Sequence, residues 1–186
     1  MIILASQSPR RKQLLEWAEV PFEIVVKETD ETYPAGMKVE EIAIHIARQK
    51  AIAVQPVVQP DAIILAADTI VVLKGRIIGK PRNREEAIRI LSDLSGNKHV
   101  VITGVVIKKE NKEIAFADST DVYFHELTLK QIEFYVDKYK PYDKAGAYAI
   151  QEWIGVIGIQ SVNGDFYNVM GLPVSRVVRE LKKLIG

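Results

Sequence analysis

Asp68 and Thr69 directly follow the wholly apolar run Ala62–Ala67. A buried strand that ends in a carboxylate delivers it to the C-terminal edge of an α/β sheet, where such sheets place ligands. Ala66 and Ala67 are small enough to let a ligand approach. The alternative is a turn-forming aspartate bonded to its own backbone, but Thr69-Ile70-Val71-Val72 continues in β-forming residues, so a functional carboxylate is favoured. A second cluster, Ser6-Gln7-Ser8-Pro9-Arg10-Arg11, lies between a short apolar run and a helix start. Free N–H groups and the helix dipole attract anions at such a corner. Two arginines in a first helical turn oppose the dipole by about a few tenths of a kcal/mol each unless an anion binds. Two guanidinium forks with the Ser6 and Ser8 hydroxyls suit a polyphosphate. The bland alternative leaves both arginines in solvent or paired with acids. No G-x-x-x-x-G-K-[ST] loop occurs in the chain.

Lys50 falls within the apolar arc of Val39, Ala43, Ile46 and Ala53, where an ammonium must either snorkel to water or meet an anion. Lys80, in Gly79-Lys80-Pro81, is a lysine on a constrained loop and a weak signal alone. Thr29-Asp30-Glu31-Thr32 supplies a further acidic pair on a loop; metal binding competes there with plain solvation. Gln151 ends Asp143-Lys144-Ala145-Gly146-Ala147-Tyr148-Ala149-Ile150-Gln151, in which small residues alternate with polar ones. An amide that both donates and accepts can read a pyrimidine edge, although a surface glutamine on a packed turn fits equally well. His45, His99 and His125 share no ligand spacing, so a histidine zinc site or a catalytic triad has no support.

The elements that must position these groups follow from periodicity and caps. Ile2–Ala5 reads as a buried strand, and Pro9–Trp17 as a helix capped by Ser8 with proline at its first position. Phe22–Val26 reads as a strand, Lys38–Val54 as a helix stopped before Pro56, and Ala62–Ala67 as a strand covered on both faces. Ile70–Leu73 and Arg76–Ile78 flank Lys74-Gly75 as a hairpin. Asn83 caps a helix running to Leu94, with Gly96 beyond it. Val100–Lys108 and Glu113–Phe124 form a long hairpin, and Leu129–Lys138 a helix. Val156–Val162 and Phe166–Val169 bracket the turn signal Asn163-Gly164 as paired strands, and a terminal amphipathic helix follows Leu172-Pro173. The sum is an α/β protein with a mixed sheet and no linker that would mark a domain boundary.

The chain has 186 residues, 48% hydrophobic and 26% charged, which fits a folded soluble domain with a real core. Its 25 Lys plus Arg against 24 Asp plus Glu give a formal charge of +1, so a coat for nucleic-acid backbones is disfavoured. Cysteine is absent, which excludes disulfides, thiol catalysis and Cys-based metal centres. No apolar run could cross a bilayer and the N-terminus lacks a signal-peptide pattern, so the expected location is cytoplasmic, with no membrane partner.

Together these segments resemble the Maf family, once described as septum-formation inhibitors and now regarded as nucleoside triphosphate pyrophosphatases. The likeness spans essentially the whole chain: LASQSPRR (Leu4–Arg11), ADTIV (Ala67–Val71), GKP (Gly79–Pro81), LSG (Leu94–Gly96), TGV (Thr103–Val105), DKAGAYAIQ (Asp143–Gln151) and NVMGLP (Asn168–Pro173). Seven modest motifs in order are together specific. The resemblance implies a single Maf-like domain over residues 1–186. Its α/β fold would carry an elongated mixed sheet flanked by helices, with two lobes around a central cleft, similar to inosine triphosphate pyrophosphatases and often found as a homodimer. It also implies hydrolysis of a nucleoside triphosphate to the monophosphate and pyrophosphate with Mg²⁺ or Mn²⁺. Carried over by position, Ser6, Arg10 and Arg11 would hold the phosphates, with Ser8 beside them. Lys50 and Lys80 would neutralise charge on the leaving pyrophosphate, and Asp68 would act on the attacking water. Glu31 and Asp68 are the metal-ligand candidates. Arg11, Thr69 and Gln151 match the subgroup that prefers dTTP and UTP, while Glu152-Trp153 departs from the usual pattern. The competing class is a non-enzymatic regulator of cell division acting on a partner or nucleic acid, for which no aromatic–basic platform or recognition helix is present.

Overall fold

The computed structural model describes residues 1–185. Its elements are, in chain order, β1 (Ile2–Leu4), α1 (Pro9–Trp17), β2 (Glu23–Ile24), α2 (Val39–Val54), β3 (Ile63–Leu73), β4 (Arg76–Ile78), α3 (Arg84–Leu94), β5 (Lys98–Lys109), β6 (Lys112–Phe124), α4 (Leu129–Tyr139), α5 (Trp153–Gly158), β7 (Ile159–Asn163), α6 (Phe166–Met170) and α7 (Val174–Ile185). The strands form one mixed sheet in the order β2-β1-β3-β5-β6-β7, with β4 paired to β3. β1 runs parallel to both β2 and β3, whereas β3–β4 and β6–β7 are antiparallel. This is the mixed α/β architecture that the alternation of strand and helix signals predicts.

The chain divides into two compact units. One comprises Met1–Thr69, Ile102–Asp118 and Gly171 onward; the other comprises Ile70–Val101 and Ser119–Met170. In the first, Ala47, Ala51 and Val54 of α2 pack on Ile3, Ala5, Ile64, Ala66 and Val106. The small side chains let the helix sit close to the strands, and Gly104 marks the tightest point. A Cβ there would overlap the Ala43–Ile44 peptide, so this approach excludes every other residue. In the second unit Ala87, Leu91, Leu94, Ile132, Tyr135, Val136 and Ile154 are buried, and the Arg84 guanidinium of α3 bonds the Asp137 carboxylate of α4 at 2.6 and 3.0 Å.

Local chemistry starts the helices, through the caps expected at Ser8 and Asn83 and a further one at Thr128. Ser8 caps α1 by accepting from Arg11 N–H, Asn83 caps α3 by accepting from Glu86 N–H, and Thr128 with Gln131 forms a capping box on α4. Four expectations need correction. The strand does not end at Ala67: β3 continues through Asp68 to Leu73, so Asp68 lies in mid-strand rather than at a strand end. The Thr69–Val72 run of β-branched residues carries the ladder onward. The strand expected at Phe22–Val26 shrinks to two residues. Val156–Val162 is a strand only from Ile159, because the Glu152 carbonyl accepts from Gly155 and Val156 N–H and winds Trp153–Gly158 into α5. Phe166–Val169 belongs to helix α6, since the Asp165 carboxylate accepts from Tyr167 N–H (2.7 Å) and Asn168 N–H (3.2 Å) as a helix start. Asn163-Gly164 is therefore not the turn of a hairpin.

Candidate active site

Lys50, near the C-terminal end of α2, does not snorkel. Its Nζ lies 2.7 Å from Asp68 Oδ1 and 2.8 Å from Glu31 Oε1, with side-chain exposures of 17% for Lys50, 16% for Asp68 and 48% for Glu31. A cation on the apolar side of a helix is stable here because two carboxylates meet it. Three candidates from three separate segments thus converge on one point. Glu31 reaches it from a loop where its own φ is +49°, a left-handed conformation uncommon for a residue with a side chain. Gln49, the neighbour of Lys50, steadies that loop by donating from Nε2 to the Thr32 carbonyl (3.1 Å).

Arg11 forms the adjoining cluster in the same unit. It is 8% exposed, and its guanidinium is a three-way tie. Nε donates to the Gly171 carbonyl (2.7 Å), one terminal nitrogen to Ser6 Oγ (3.1 Å) and the other to Thr69 Oγ1 (2.9 Å). Thr69 Oγ1 is also 2.9 Å from Thr103 Oγ1. Burial drives the Arg11 pKa down to about 10, opposed chiefly by the negative charge of Asp68 and reinforced by Arg10. The group remains cationic at neutral pH. Ser6 Oγ additionally accepts from Ser8 N–H (3.2 Å). Both serine oxygens accept within this turn, which leaves their O–H donors for other partners. Arg10 is half-buried in the first turn of α1.

Lys80 and Gln151 belong to the second unit, and both are exposed. Gly146 N–H donates to the Gly79 carbonyl (3.2 Å), which ties the Asp143–Gln151 segment to the residue preceding Lys80. Sequence reasoning missed the support around Gln151. Tyr135 is fully buried, and its hydroxyl donates to Glu152 Oε2 and accepts from Ala149 N–H. Lys144 is buried beside Asp143 (2.8 Å) and Glu152 (3.7 Å). The only sequence signal was the departure of Glu152 from the family pattern. His99 lies in the core of this unit with Nε2 2.6 Å from the Tyr148 hydroxyl and Nδ1 unpartnered among the described residues.

Glu31 and Asp68, the residues expected to bind a metal, offer the carboxylate oxygens that a hard divalent ion takes. Two carboxylate oxygens already converge on a single cationic centre, within 2.8 Å. Among the described residues no cluster of three acidic or histidine side chains forms, so the remaining positions would fall to phosphate and water oxygens.

These placements concern the same segments that carried the family likeness, and a model of the family described as "Maf-like protein" matches residues 1–184. The chain belongs to the Maf family. A Maf relative from Parabacteroides distasonis is 50% identical over 182 residues, covering 97% of this chain and 94% of that protein. One from Cytophaga hutchinsonii is 51% identical, covering 100% of this chain and 84% of that protein. A third, from Bacteroides thetaiotaomicron, is 47% identical, covering 98% and 95%. All three are named dTTP/UTP pyrophosphatase. Among solved structures, a nucleoside-triphosphatase / dITP/XTP pyrophosphatase from Mycobacterium abscessus matches 68% of this chain and 75% of that chain, with 16% identity and a TM-score of 0.40. No helix among the described residues is long and apolar enough to cross a membrane.

Proposed function

We propose that this protein hydrolyses dTTP and UTP to the nucleoside monophosphate and pyrophosphate. The observation that carries the reading is the convergence of Lys50, Asp68 and Glu31 beside the Arg11–Ser6–Thr69 tie, in a chain about half identical to relatives bearing that activity in their names. Phosphoanhydride hydrolysis asks a protein mainly to hold the polyphosphate and to oppose the charge that grows on the leaving group. Lys50 supplies a cation already desolvated and oriented by two acids, so little reorganisation is needed when a phosphate oxygen replaces one of them. Ser6 and Ser8 offer hydroxyl donors and Arg10 a guanidinium beside the N-terminus of α1. Lys80 supplies a further cation for the pyrophosphate. Asp68, whose carboxylate keeps one oxygen beyond its contact with Lys50, orients the attacking water. Glu31 and Asp68 would hold Mg²⁺ or Mn²⁺. When bound, such an ion neutralises phosphate charge and lowers the pKa of an adjacent water.

Base selection is assigned to Gln151, whose amide can both donate to the 4-oxo group and accept from the 3-imino group that thymine and uracil share. Cytosine inverts that pattern and would leave buried polar groups unmatched. The test is a panel of nucleoside triphosphates with Mg²⁺ or Mn²⁺, with products resolved as mono- or diphosphate. The expected result is dTMP and UMP with pyrophosphate, at least about a hundredfold less turnover of CTP, and loss of activity on chelation. Diphosphate plus orthophosphate as products, or equal turnover of CTP, contradicts the reading. Work with the second unit's cations and amide is read out by the same panel, since Lys80→Ala should lower kcat and Gln151→Ala should erase the preference.

A further inference from the structure

We propose that Tyr135 is a positioning residue for pyrimidine selectivity, acting by clamping both ends of the turn that presents Gln151. The proposal rests on the reading of Gln151 as the base reader and extends it to Tyr135, which lies outside the motifs noted above.

The turn is Ala149-Ile150-Gln151-Glu152, closed by Glu152 N–H donating to the Ala149 carbonyl at 3.1 Å. Gln151 occupies its third position and its side chain is exposed. Its backbone is another matter. One buried phenol grips the turn at both ends: the Tyr135 hydroxyl accepts from Ala149 N–H (3.1 Å) and donates to the Glu152 carboxylate. The other carboxylate oxygen of Glu152 faces Lys144 Nζ at 3.7 Å, and Lys144 is itself 8% exposed. The clamp is rigid at its root, because Tyr135 is 0% exposed on α4 and its ring stacks on Tyr139 at 4.9 Å. The turn is also pressed from behind: a Cβ at Gly155 would coincide with the Ile150 carbonyl. A charge-assisted bond to a carboxylate inside the protein is a costly arrangement to maintain merely to start a six-residue helix, and it is directional. An amide that discriminates thymine from cytosine by donor and acceptor pattern needs its backbone held to about half an ångström. The phenol supplies that constraint from 14 and 17 residues away in sequence.

A purely structural role for Tyr135 would lower stability and depress turnover of all substrates alike. A positioning role changes their ratio. The experiment measures kcat and KM of Tyr135→Phe for dTTP and CTP, along with inhibition by inorganic pyrophosphate, which reports the phosphate site alone. Glu152→Ala is the second variant, releasing the same end of the turn should the buried hydroxyl prove essential for folding. Gln151→Ala and the double variant Tyr135→Phe/Gln151→Ala complete the set. The expected result is a fall of about tenfold in the dTTP-to-CTP ratio of kcat/KM for either clamp variant, carried mainly by KM for dTTP. Pyrophosphate inhibition should stay within about twofold, and Tyr135→Phe should add nothing in the Gln151→Ala background. Unchanged selectivity in both clamp variants, with selectivity lost in Gln151→Ala, overturns the clamp and leaves the base reader standing. Selectivity retained in Gln151→Ala overturns the base reader and the clamp together.

Discussion

Lys50 illustrates at the scale of one residue how function is written into an energetic conflict. Its ammonium occupies the apolar side of α2 and is tolerated because Asp68 and Glu31 face it at 2.7 and 2.8 Å. His99 resolves the opposite conflict by staying neutral. It is 1% exposed, Nδ1 has no partner among the described residues, and burial pushes its pKa down to about 4. The unfolded chain protonates this histidine near its ordinary value of about 6.5, whereas the folded protein resists until about pH 4. Stability is therefore full above about pH 6.5 and declines as pH falls toward 4, by roughly 3 kcal/mol for this group. Denaturant unfolding at pH 7 and pH 4.5 should show wild type losing roughly 2–3 kcal/mol more than His99→Gln, which retains a polar partner for Tyr148. Equal acid sensitivity would remove His99 from the account. Residue identities such as Asp68, Lys50 and Arg11 stood out in the sequence because each type conflicts with its surroundings. Tyr135 and Lys144 did not, because a tyrosine or lysine in an amphipathic pattern is unremarkable until its long-range partner is known.

Among the elements, α2 and β3 matter most, since they bring Lys50 to Asp68. Gly104 on β5, the strand beside β3, sets how close α2 sits to the sheet, since the α2 backbone leaves no space for a Cβ there. Gly104→Ala should cost about 2–4 kcal/mol of stability by overpacking and should reduce dTTP turnover by displacing Lys50. A melting temperature within about 1 °C of wild type, on the usual scaling of stability with temperature, would show that the helix can retreat freely. Helix starts were legible from short-range chemistry at Ser8 and Asn83, each of which caps the helix that follows. Strand ends were not. β3 runs through the polar pair Asp68-Thr69 into the β-branched run Ile70–Val72, whose end pairs with β4. The apolar stretch around Ile154–Ile159 has strand composition, yet the turn at Glu152 and the carboxylate cap at Asp165 convert its surroundings to helix. Such outcomes depend on hydrogen bonds that periodicity does not encode.

On the scale of the whole molecule, the proposed site residues Ser6, Arg10, Arg11, Lys50, Asp68, Thr69 and Glu31 all fall in one compact unit, and Lys80 and Gln151 in the other. The chain is discontinuous in both units, with segments separated by up to a hundred residues, so local sequence patterns could name the parts without showing which of them share a neighbourhood. The mixed sheet and the family were legible because seven motifs recur in order along nearly the full length. The central claim is that the carboxylate beside Lys50 performs the chemistry rather than merely stabilising a buried lysine. Parallel measurement of dTTP turnover and dTTP affinity in Asp68→Asn tests it most directly. The account predicts a loss of about a thousandfold in kcat with the dissociation constant within about threefold of wild type. Turnover within about tenfold of wild type at unchanged affinity would contradict it.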